Sequence, residues 1–258
     1  MLTVDSISKS FGGLTAVDSC SFTIESQSIT GLIGPNGAGK TTIFNVIAGA
    51  MKPDGGRVKF QGTDITGQPA HTLFHLGIMR TFQIPQEFFA MTVLENLMVV
   101  PAKQSGENLF YALLSPGNVA AREKEVRERA IDVLDFLRLT HVIDELAGNL
   151  SGGQKKLLEL GRAMMADPDI VLLDEPGAGV NPTLLGELAE MIERLNKERH
   201  YTFCIIEHNM DVIKLADHII DIGLEGGKNG GTVLCKGTPE AIVKNKKSHT
   251  ARFLRKEL

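Results

Sequence analysis

A glycine-rich loop between an apolar run and a helix-forming segment constrains the fold of this chain more than any other feature. Residues 34–41 read Gly-Pro-Asn-Gly-Ala-Gly-Lys-Thr, after the apolar run 29–34 and before a helical pattern over 41–48. Gly34, Gly37 and Gly39 let the backbone curl so that successive N–H groups converge on one anion. The start of the helix adds unpaired N–H groups and partial positive charge. The pattern therefore predicts a strand, a phosphate-binding loop and a helix.

The side chains of this loop suit a nucleoside triphosphate with Mg²⁺. Lys40 can reach the β- and γ-phosphates, and the Thr41 hydroxyl can ligate the metal. The plainer alternative is a glycine-rich turn with a surface lysine, which the flanking strand and helix make the weaker interpretation. We expect the nucleotide to contact Gly34, Asn36, Gly37, Ala38, Gly39, Lys40, Thr41 and Thr42.

A second candidate for this chemistry is the acidic pair Asp174 and Glu175, which follows the apolar run 170–173. A carboxylate at the carboxyl end of a buried strand can hold Mg²⁺ beside the phosphates. The next side chain points differently and can polarise a water for attack on the γ-phosphate. We therefore predict that Asp174 binds the metal and that Glu175 is the catalytic base. The alternative is that one of them caps a helix before Pro176.

Residues 150–154, Leu-Ser-Gly-Gly-Gln, predict a second anion site. Ser151 is a typical helix N-cap, and the glycines at 152 and 153 would expose backbone N–H groups in the first turn. An ordinary capped helix would not need two glycines, each of which costs about 1 kcal/mol there. Two anion sites in one chain can bind the same triphosphate only if they face each other across two protomers.

Strand and helix patterns alternate along much of the chain, which predicts an α/β fold of parallel strands covered by helices. Strands are expected over 4–7, 22–24, 29–34, 57–60, 170–173 and 201–206, and helices over 41–48, 92–99, 119–139 and 184–195. The stretch from about 85 to 165 is mostly helical in pattern. We interpret residues 1–258 as one domain, with a helical subdomain inserted at about 85–165 and a C-terminal tail from about 217 to 258.

Composition narrows the class of protein further. The 27 Lys and Arg residues against 31 Asp and Glu give a net charge of −4, which argues against a dedicated nucleic-acid binder. No apolar run approaches the length of a membrane span, and the first residues lack the pattern of a signal peptide. Three widely separated cysteines predict neither a disulfide framework nor a zinc site, and are expected to be small buried thiols in a reducing cytoplasm.

The phosphate loop (Walker A), Leu-Ser-Gly-Gly-Gln and Asp-Glu-Pro, in that order, resemble the nucleotide-binding subunit of ABC ATPases. The resemblance implies ATP and Mg²⁺ as cofactors, and a P-loop NTPase (RecA-like) core with an antiparallel β edge and an inserted α-helical subdomain. It implies that Gln83 senses Mg²⁺ and couples to a transmembrane partner, and that His208 contacts the γ-phosphate. Phe11 occupies the place of an aromatic that stacks on adenine. Ser151 and Gly153 would contact the nucleotide of the other protomer.

Three features resemble the ATPase of branched-chain amino-acid transporters (the LivG type): Arg80-Thr-Phe-Gln, Met91-Thr-Val-Leu-Glu-Asn-Leu and a long insertion at about 101–120. As that subfamily tends to do, the chain has Asn181 where most ABC proteins have an acid. The resemblance implies permease subunits and a second ABC ATPase subunit, identical or paralogous, as partners, with a solute-binding protein acting indirectly and no nucleic acid. Phe88, Phe89 and Met91 are candidate permease contacts, although core packing is the likelier role for at least one. The chain would act at the cytoplasmic face of the membrane.

One segment supports a different hypothesis. From about residue 207 the tail resembles the end of an excision-repair ATPase of the UvrA type, so a soluble ABC ATPase acting on DNA is the alternative function. The single nucleotide-binding half, the missing zinc cysteines and the net charge argue against it. A P-loop kinase or nucleotide switch would have no use for Leu-Ser-Gly-Gly-Gln. The glycine pairs at 226–227 and 230–231 are interpreted as a loose hairpin, most simply a tolerated surface insertion.

Overall fold

The computed structural model describes residues 1–81, 87–102, 115–223, 230–245 and 248–255. The chain divides into two compact units. The first, unit 1, comprises Met1–Gln83, Pro168–Ala178 and Ala189–Leu258, and the second, unit 2, comprises Ile84–Asp167 and Gly179–Leu188. No helix among the described residues is long and apolar enough to cross a membrane.

A mostly parallel sheet forms the centre of unit 1. Its strands are β3 (Ile29–Ile33), β6 (Ile78–Arg80), β7 (Ile170–Asp174), β8 (Thr202–Ile206), β9 (His218–Ile222) and β10 (Val233–Gly237). Their order is β10-β9-β3-β8-β7-β6, and only β10 pairs antiparallel with its neighbour. All residues of β3, β7 and β8 are buried, as expected for parallel strands covered on both faces. The carboxyl ends of β3, β7 and β8 therefore lie side by side.

A second, antiparallel sheet of unit 1 has the order β2-β1-β4-β5. Its strands are β1 (Leu2–Phe11), β2 (Leu14–Ile24), β4 (Gly55–Phe60) and β5 (Thr63–Asp64). The helix Lys40–Ile47 contributes Ile43 and Phe44 to one core cluster that includes Phe22 of this sheet and Leu172 of the other. The helix that follows the phosphate loop is thus packed into the core shared by the two sheets.

The other helices of unit 1 are short: Ala70–His75, Met210–Ile213, Pro239–Val243 and His249–Leu254. Unit 2 contains the helices Val93–Met98, Pro116–Phe136 and Gly152–Ala166, with single turns at Thr140–Val142 and Ala147–Asn149. The helix Pro182–Arg199 begins in unit 2 and continues in unit 1.

The long helix of unit 2 begins and ends three residues earlier than the interval 119–139 predicted. Pro116 occupies its first turn, where a missing N–H costs nothing. Arg138 has φ of 58°, and the N–H of Leu139 donates to the carbonyl of Leu134 at 2.8 Å, which closes the helix with a left-handed cap. The apolar residues at helical spacing in this segment are buried: Val126, Ala130, Val133, Leu134 and Leu137.

Candidate functional site

The phosphate loop connects β3 to the helix Lys40–Ile47. Two of its positions need glycine, because their φ angles are positive and because neighbouring backbone atoms leave no room for a Cβ. Gly34 has φ of +144° and Gly39 has φ of +95°. A Cβ at Gly34 would lie 2.2 Å from the carbonyl oxygen of Ile222, and one at Gly39 would lie 2.3 Å from that of Ala16. Any side chain at either position would displace the backbone of an adjacent strand.

Lys40 lies inside this loop rather than on the surface. Its side chain is buried, and its Nζ donates to the carbonyl oxygens of Gly34 at 2.7 Å and Pro35 at 2.9 Å. Burial lowers the pKa of Lys40, and the charges of Glu175, Asp174 and Asp221 oppose that shift. An ammonium group held in a curled loop is suited to bind phosphate oxygens.

The other predicted contacts of the loop differ in exposure. Ala38 is fully buried, whereas Asn36, Gly37 and Thr41 are exposed and Thr42 is half-buried. The Thr41 hydroxyl, in the first turn of the helix, is therefore accessible from solvent.

Asp174 ends β7, where its buried carboxylate accepts a hydrogen bond from Arg80. The Nη2 of Arg80 lies 2.8 Å from Asp174 Oδ2, and its Nη1 donates to Asn45 Oδ1 of the phosphate-loop helix. Arg80 ends β6, the strand beside β7. In the sequence, Arg80 is marked only by a family resemblance, because no local pattern shows that β6 and β7 are neighbours.

Glu175 and His208 are brought together from the loops that follow β7 and β8. The Nε2 of His208 lies 3.6 Å from Glu175 Oε1. Glu175 has φ of 48°, and its N–H donates to the carbonyl of Ile206 at 2.9 Å. The two side chains predicted for catalysis thus lie next to each other.

Glu207, which was not among the residues predicted from the sequence, fixes this arrangement. Its buried carboxylate accepts the N–H groups of Gly177 at 2.7 Å, His208 at 2.7 Å and Asn209 at 2.9 Å. It thereby ties the loop after β7 to the loop after β8. An acid directly after a buried strand is a signal that could have been found in the sequence.

In unit 2, Ser151 is the N-cap predicted for the helix Gly152–Ala166. Its Oγ accepts the N–H of Gln154 at 3.3 Å, and Gln154 Oε1 accepts the N–H of Ser151 at 2.9 Å. Gly152 is exposed, but Gly153 is buried, and a Cβ there would lie 2.2 Å from Leu184 Cδ1. The explanation that both glycines are needed only to expose N–H groups is therefore incomplete, since Gly153 is also needed for packing.

Three further residues singled out in the sequence have different surroundings. Phe11 is 46% exposed at the end of β1, and Lys9 Nζ lies 5.8 Å from its ring centroid. Asn181 Oδ1 accepts the N–H of Leu184 at 2.9 Å and so caps the helix Pro182–Arg199. Gln83 lies outside the described residues.

The oxygen donors of the site fit a nucleotide-bound Mg²⁺ better than an independent metal centre. Among the residues that the structure describes, no cluster of three or more His, Cys, Asp or Glu side chains could hold a metal. Mg²⁺ is usually bound by one or two protein oxygens together with substrate phosphates and water. Asp174 and Thr41 supply oxygens of that kind on the two segments that flank the phosphate site.

Comparison with known proteins gives closely similar relatives. "Probable branched-chain amino acid transport ATP-binding protein LivG" of Archaeoglobus fulgidus is 44% identical over 248 residues, which cover 96% of this chain and 93% of the relative. "High-affinity branched-chain amino acid transport ATP-binding protein LivG" of Escherichia coli is 38% identical over 246 residues, which cover 95% of this chain and 94% of the relative.

Solved structures similar to this chain are also ATP-binding proteins of transporters. A nucleotide-free ATP-binding cassette from an ABC transporter has a TM-score of 0.78 and 36% identity, over 99% of this chain and 98% of that one. An ATP-binding cassette of an ABC transporter in its ADP conformation has a TM-score of 0.78 and 37% identity, with the same coverage. The predicted ABC ATPase fold is confirmed. The ABC transporter family model matches residues 17–178, and this chain therefore belongs to the ABC transporter family.

Proposed function

We propose that this chain is the ATP-binding and ATP-hydrolysing subunit of an ABC importer for branched-chain or related amino acids. The observation that carries the proposal is the convergence of Lys40, Asp174, Glu175 and His208 at the adjoining carboxyl ends of β3, β7 and β8. The substrate class comes from the relatives, which are named as branched-chain amino acid transport ATP-binding proteins. They support the transporter hypothesis over the excision-repair alternative.

Binding of ATP is assigned to the phosphate loop and its helix. The backbone N–H groups of residues 34 and 36–42 and the Lys40 ammonium hold the phosphates, and Phe11 offers an exposed ring to the adenine. Thr41, Asp174 and Gln83 are the residues that would hold Mg²⁺. When bound, the metal neutralises phosphate charge and orients the γ-phosphate.

Hydrolysis is assigned to Glu175, with His208 beside it. A carboxylate can accept a proton from a water that attacks the γ-phosphate, while the imidazole can donate a hydrogen bond to the phosphate. Glu207 keeps both loops in place through its bonds to Gly177, His208 and Asn209. The site thus has a base, a neighbouring hydrogen-bond donor and a rigid support.

We infer that the complete site, to which Ser151 and Gly153 contribute, is shared with a second ATPase subunit. They would contact the nucleotide held by the phosphate loop of the other subunit. We further propose that unit 2 is the helical subdomain of one ABC ATPase domain, and that residues 217–258 form its C-terminal tail.

The permease partners would bind the segment that contains Gln83 and the aromatic pair Phe88 and Phe89, which are 47% and 73% exposed. Met91 is half-buried in the same loop. The chain would then act at the cytoplasmic face of the membrane, with a solute-binding protein delivering substrate to the permeases and no nucleic acid involved.

Native co-purification tests this proposal. The chain is isolated from detergent-solubilised membranes, and its companions are identified by mass spectrometry. We expect polytopic permease subunits, lost in a Phe88→Ala, Phe89→Ala double variant but retained in Leu76→Ala, which removes an exposed apolar side chain elsewhere. Recovery without any membrane partner, together with ATPase activity stimulated by damaged DNA, would support the repair alternative instead.

A further inference from the structure

The C-terminal tail, residues 217–258, touches the phosphate loop through Gly231. The Gly231 N–H donates to the carbonyl of Ala38 at 3.0 Å, and its own carbonyl accepts the N–H of Asp18 at 2.9 Å. Gly231 is buried with φ of +80°, and a Cβ there would lie 2.6 Å from the carbonyl oxygen of Ala16. The interpretation of 230–231 as a surface insertion is wrong, because this glycine joins the loop to β2; residues 226–227 lie outside the described residues.

A second connection runs through two buried polar side chains of the tail. Ser248 Oγ donates to Asp221 Oδ2 at 2.5 Å and accepts the N–H of Ala251 at 2.9 Å in the last helix. Asp221 and Ser248 are 2% and 5% exposed, respectively. The hydroxyl thus fixes a buried carboxylate to the helix His249–Leu254.

Asp221 lies beside the start of the phosphate loop. It pairs with Ile33 across β9 and β3, next to Gly34, whose carbonyl accepts a bond from Lys40. Its negative charge is one of three that favour the charged form of the buried Lys40. Asp221 is therefore one of the counter-charges of Lys40.

A cavity of about 350 Å³ is lined both by the phosphate loop and by the tail. Its wall includes Gly34 and Pro35 of the phosphate loop. It also includes His208, Asp221 of β9 and Thr250 of the last helix. The tail helix is therefore part of the immediate surroundings of the loop rather than a distant appendage.

We propose that the C-terminal tail is a positioning element for ATP binding, in which Gly231 holds the Ala38 carbonyl and Ser248 holds the Asp221 carboxylate close to Lys40. This inference rests on the proposed ATP-binding function. Without the hydrogen bond from Ser248, the Asp221 carboxylate is held less firmly. The Lys40 ammonium then has a less fixed position and a weaker counter-charge, so that it binds phosphate more weakly. Asp221 and Ser248 act through Lys40 and are positioning residues, not catalytic ones.

Two helix caps of the tail provide a matched test. Thr238 Oγ1 accepts the N–H of Ala241 and caps the helix Pro239–Val243, as Ser248 does for the following helix. Ser248→Ala and Thr238→Ala both remove a capping hydroxyl, but only Ser248→Ala also removes a hydrogen bond to Asp221. Titration calorimetry gives the dissociation constant for ATP, steady-state kinetics gives KM and kcat, and urea unfolding shows that each variant is folded.

We expect Ser248→Ala to weaken ATP binding about 5- to 10-fold, which is less than the full effect of a hydrogen bond to a charged group because Ser248 acts only indirectly, through Asp221 and Lys40. KM should rise by the same factor with kcat nearly unchanged, Ser248→Thr should restore binding, and Thr238→Ala should bind like the wild type. Equal ATP affinity in folded Ser248→Ala and wild type would overturn the inference. If Ser248→Ala does not fold, Ser248→Cys makes the same test, because a thiol of similar size is a much weaker hydrogen-bond donor to Asp221. A wild-type chain that fails to bind ATP would instead refute the proposed function.

Discussion

The imidazole Nε2 of His208 lies 3.6 Å from Glu175 Oε1, although the two residues come from loops after different strands. The contact is possible because β7 and β8 are parallel neighbours, so that their carboxyl ends meet at one edge of the sheet. Glu207 then holds both loops by accepting N–H groups from each. These contacts fix the position of the loop that carries Glu175, the candidate catalytic base.

Glu175→Gln should separate ATP binding from hydrolysis. The amide keeps the shape of the side chain but cannot accept a proton, so we expect phosphate release to fall at least about 100-fold. The dissociation constant for ATP, measured by calorimetry, should stay close to that of the wild type. Glu123→Gln, an exposed acid on the helix Pro116–Phe136, is the control and should keep full activity. Wild-type hydrolysis by Glu175→Gln would rule out Glu175 as the base.

Arg80→Gln should destabilise the protein because it leaves the buried Asp174 carboxylate without its cation. The two side chains are 15% and 8% exposed, and breaking such a pair costs about 3 kcal/mol of unfolding free energy. Arg80→Lys should recover only part of the loss, since one ammonium cannot bond Asp174 and Asn45 in the geometry of a guanidinium. The free energy of unfolding of each variant is measured by urea unfolding. The control is Arg194→Gln, which breaks the exposed ion pair with Glu198. Equal stability of Arg80→Gln and Arg194→Gln would contradict a structural role for the buried pair.

The parts of the site that sequence could predict are those encoded by contiguous residues. The phosphate loop, the pair Asp174–Glu175 and the Ser151 cap each depend on local backbone chemistry, and each has the predicted local structure. The Arg80–Asp174 pair depends instead on the pairing of β6 with β7, and the Ser248–Asp221 pair depends on where the start of the last helix meets β9. No local pattern specifies either relationship, so these pairs could be found only in the folded chain.

Ser151→Arg should remove cooperative turnover without weakening ATP binding by the isolated chain. A large cation at the cap would obstruct the nucleotide of the second subunit, whereas the phosphate loop belongs to unit 1 and is unaltered. The Hill coefficient of ATPase activity and the dissociation constant for ATP are measured together. Thr92→Arg is the control, since Thr92 makes the other capping box described in unit 2. Unchanged cooperativity in Ser151→Arg would argue against a site shared by two subunits.

Stability should fall at alkaline pH because buried thiols resist ionisation. Cys20 and Cys204 are buried, and burial raises the pKa of Cys20 to about 12 and raises the pKa of Cys204 as well. Above the thiol's ordinary value of 9.0 the unfolded chain loses these protons while the folded chain keeps them, so stability declines between about pH 9 and pH 12. The slope is about 1.4 kcal/mol per pH unit for each thiol. Urea unfolding at several pH values should show a smaller slope for Cys20→Ala, and an equal slope would contradict the assignment.

Asn96 should control the loop that carries the proposed permease contacts. Its fully buried side chain accepts the N–H of Phe88 at 2.8 Å and donates to the carbonyls of Phe88 at 3.0 Å and Thr92 at 2.9 Å. Asn96→Ala removes these three bonds. The Phe88 and Thr92 carbonyls still accept the N–H groups of Met91 and Asn96, but the Phe88 N–H loses the amide oxygen to which it donates, at a cost of about 2 kcal/mol.

We expect amide hydrogen exchange over residues 88–92 to accelerate in Asn96→Ala, and permease recovery to fall although Phe88 and Phe89 are intact. The control is Asn149→Ala, which removes an exposed amide from the same unit and should leave both measurements unchanged. Faster exchange with full permease recovery would show that the partner does not need this loop to be preformed. In that case the exposed ring of Phe89 would have to bind by reorganising the loop, because its position would no longer be set by Asn96.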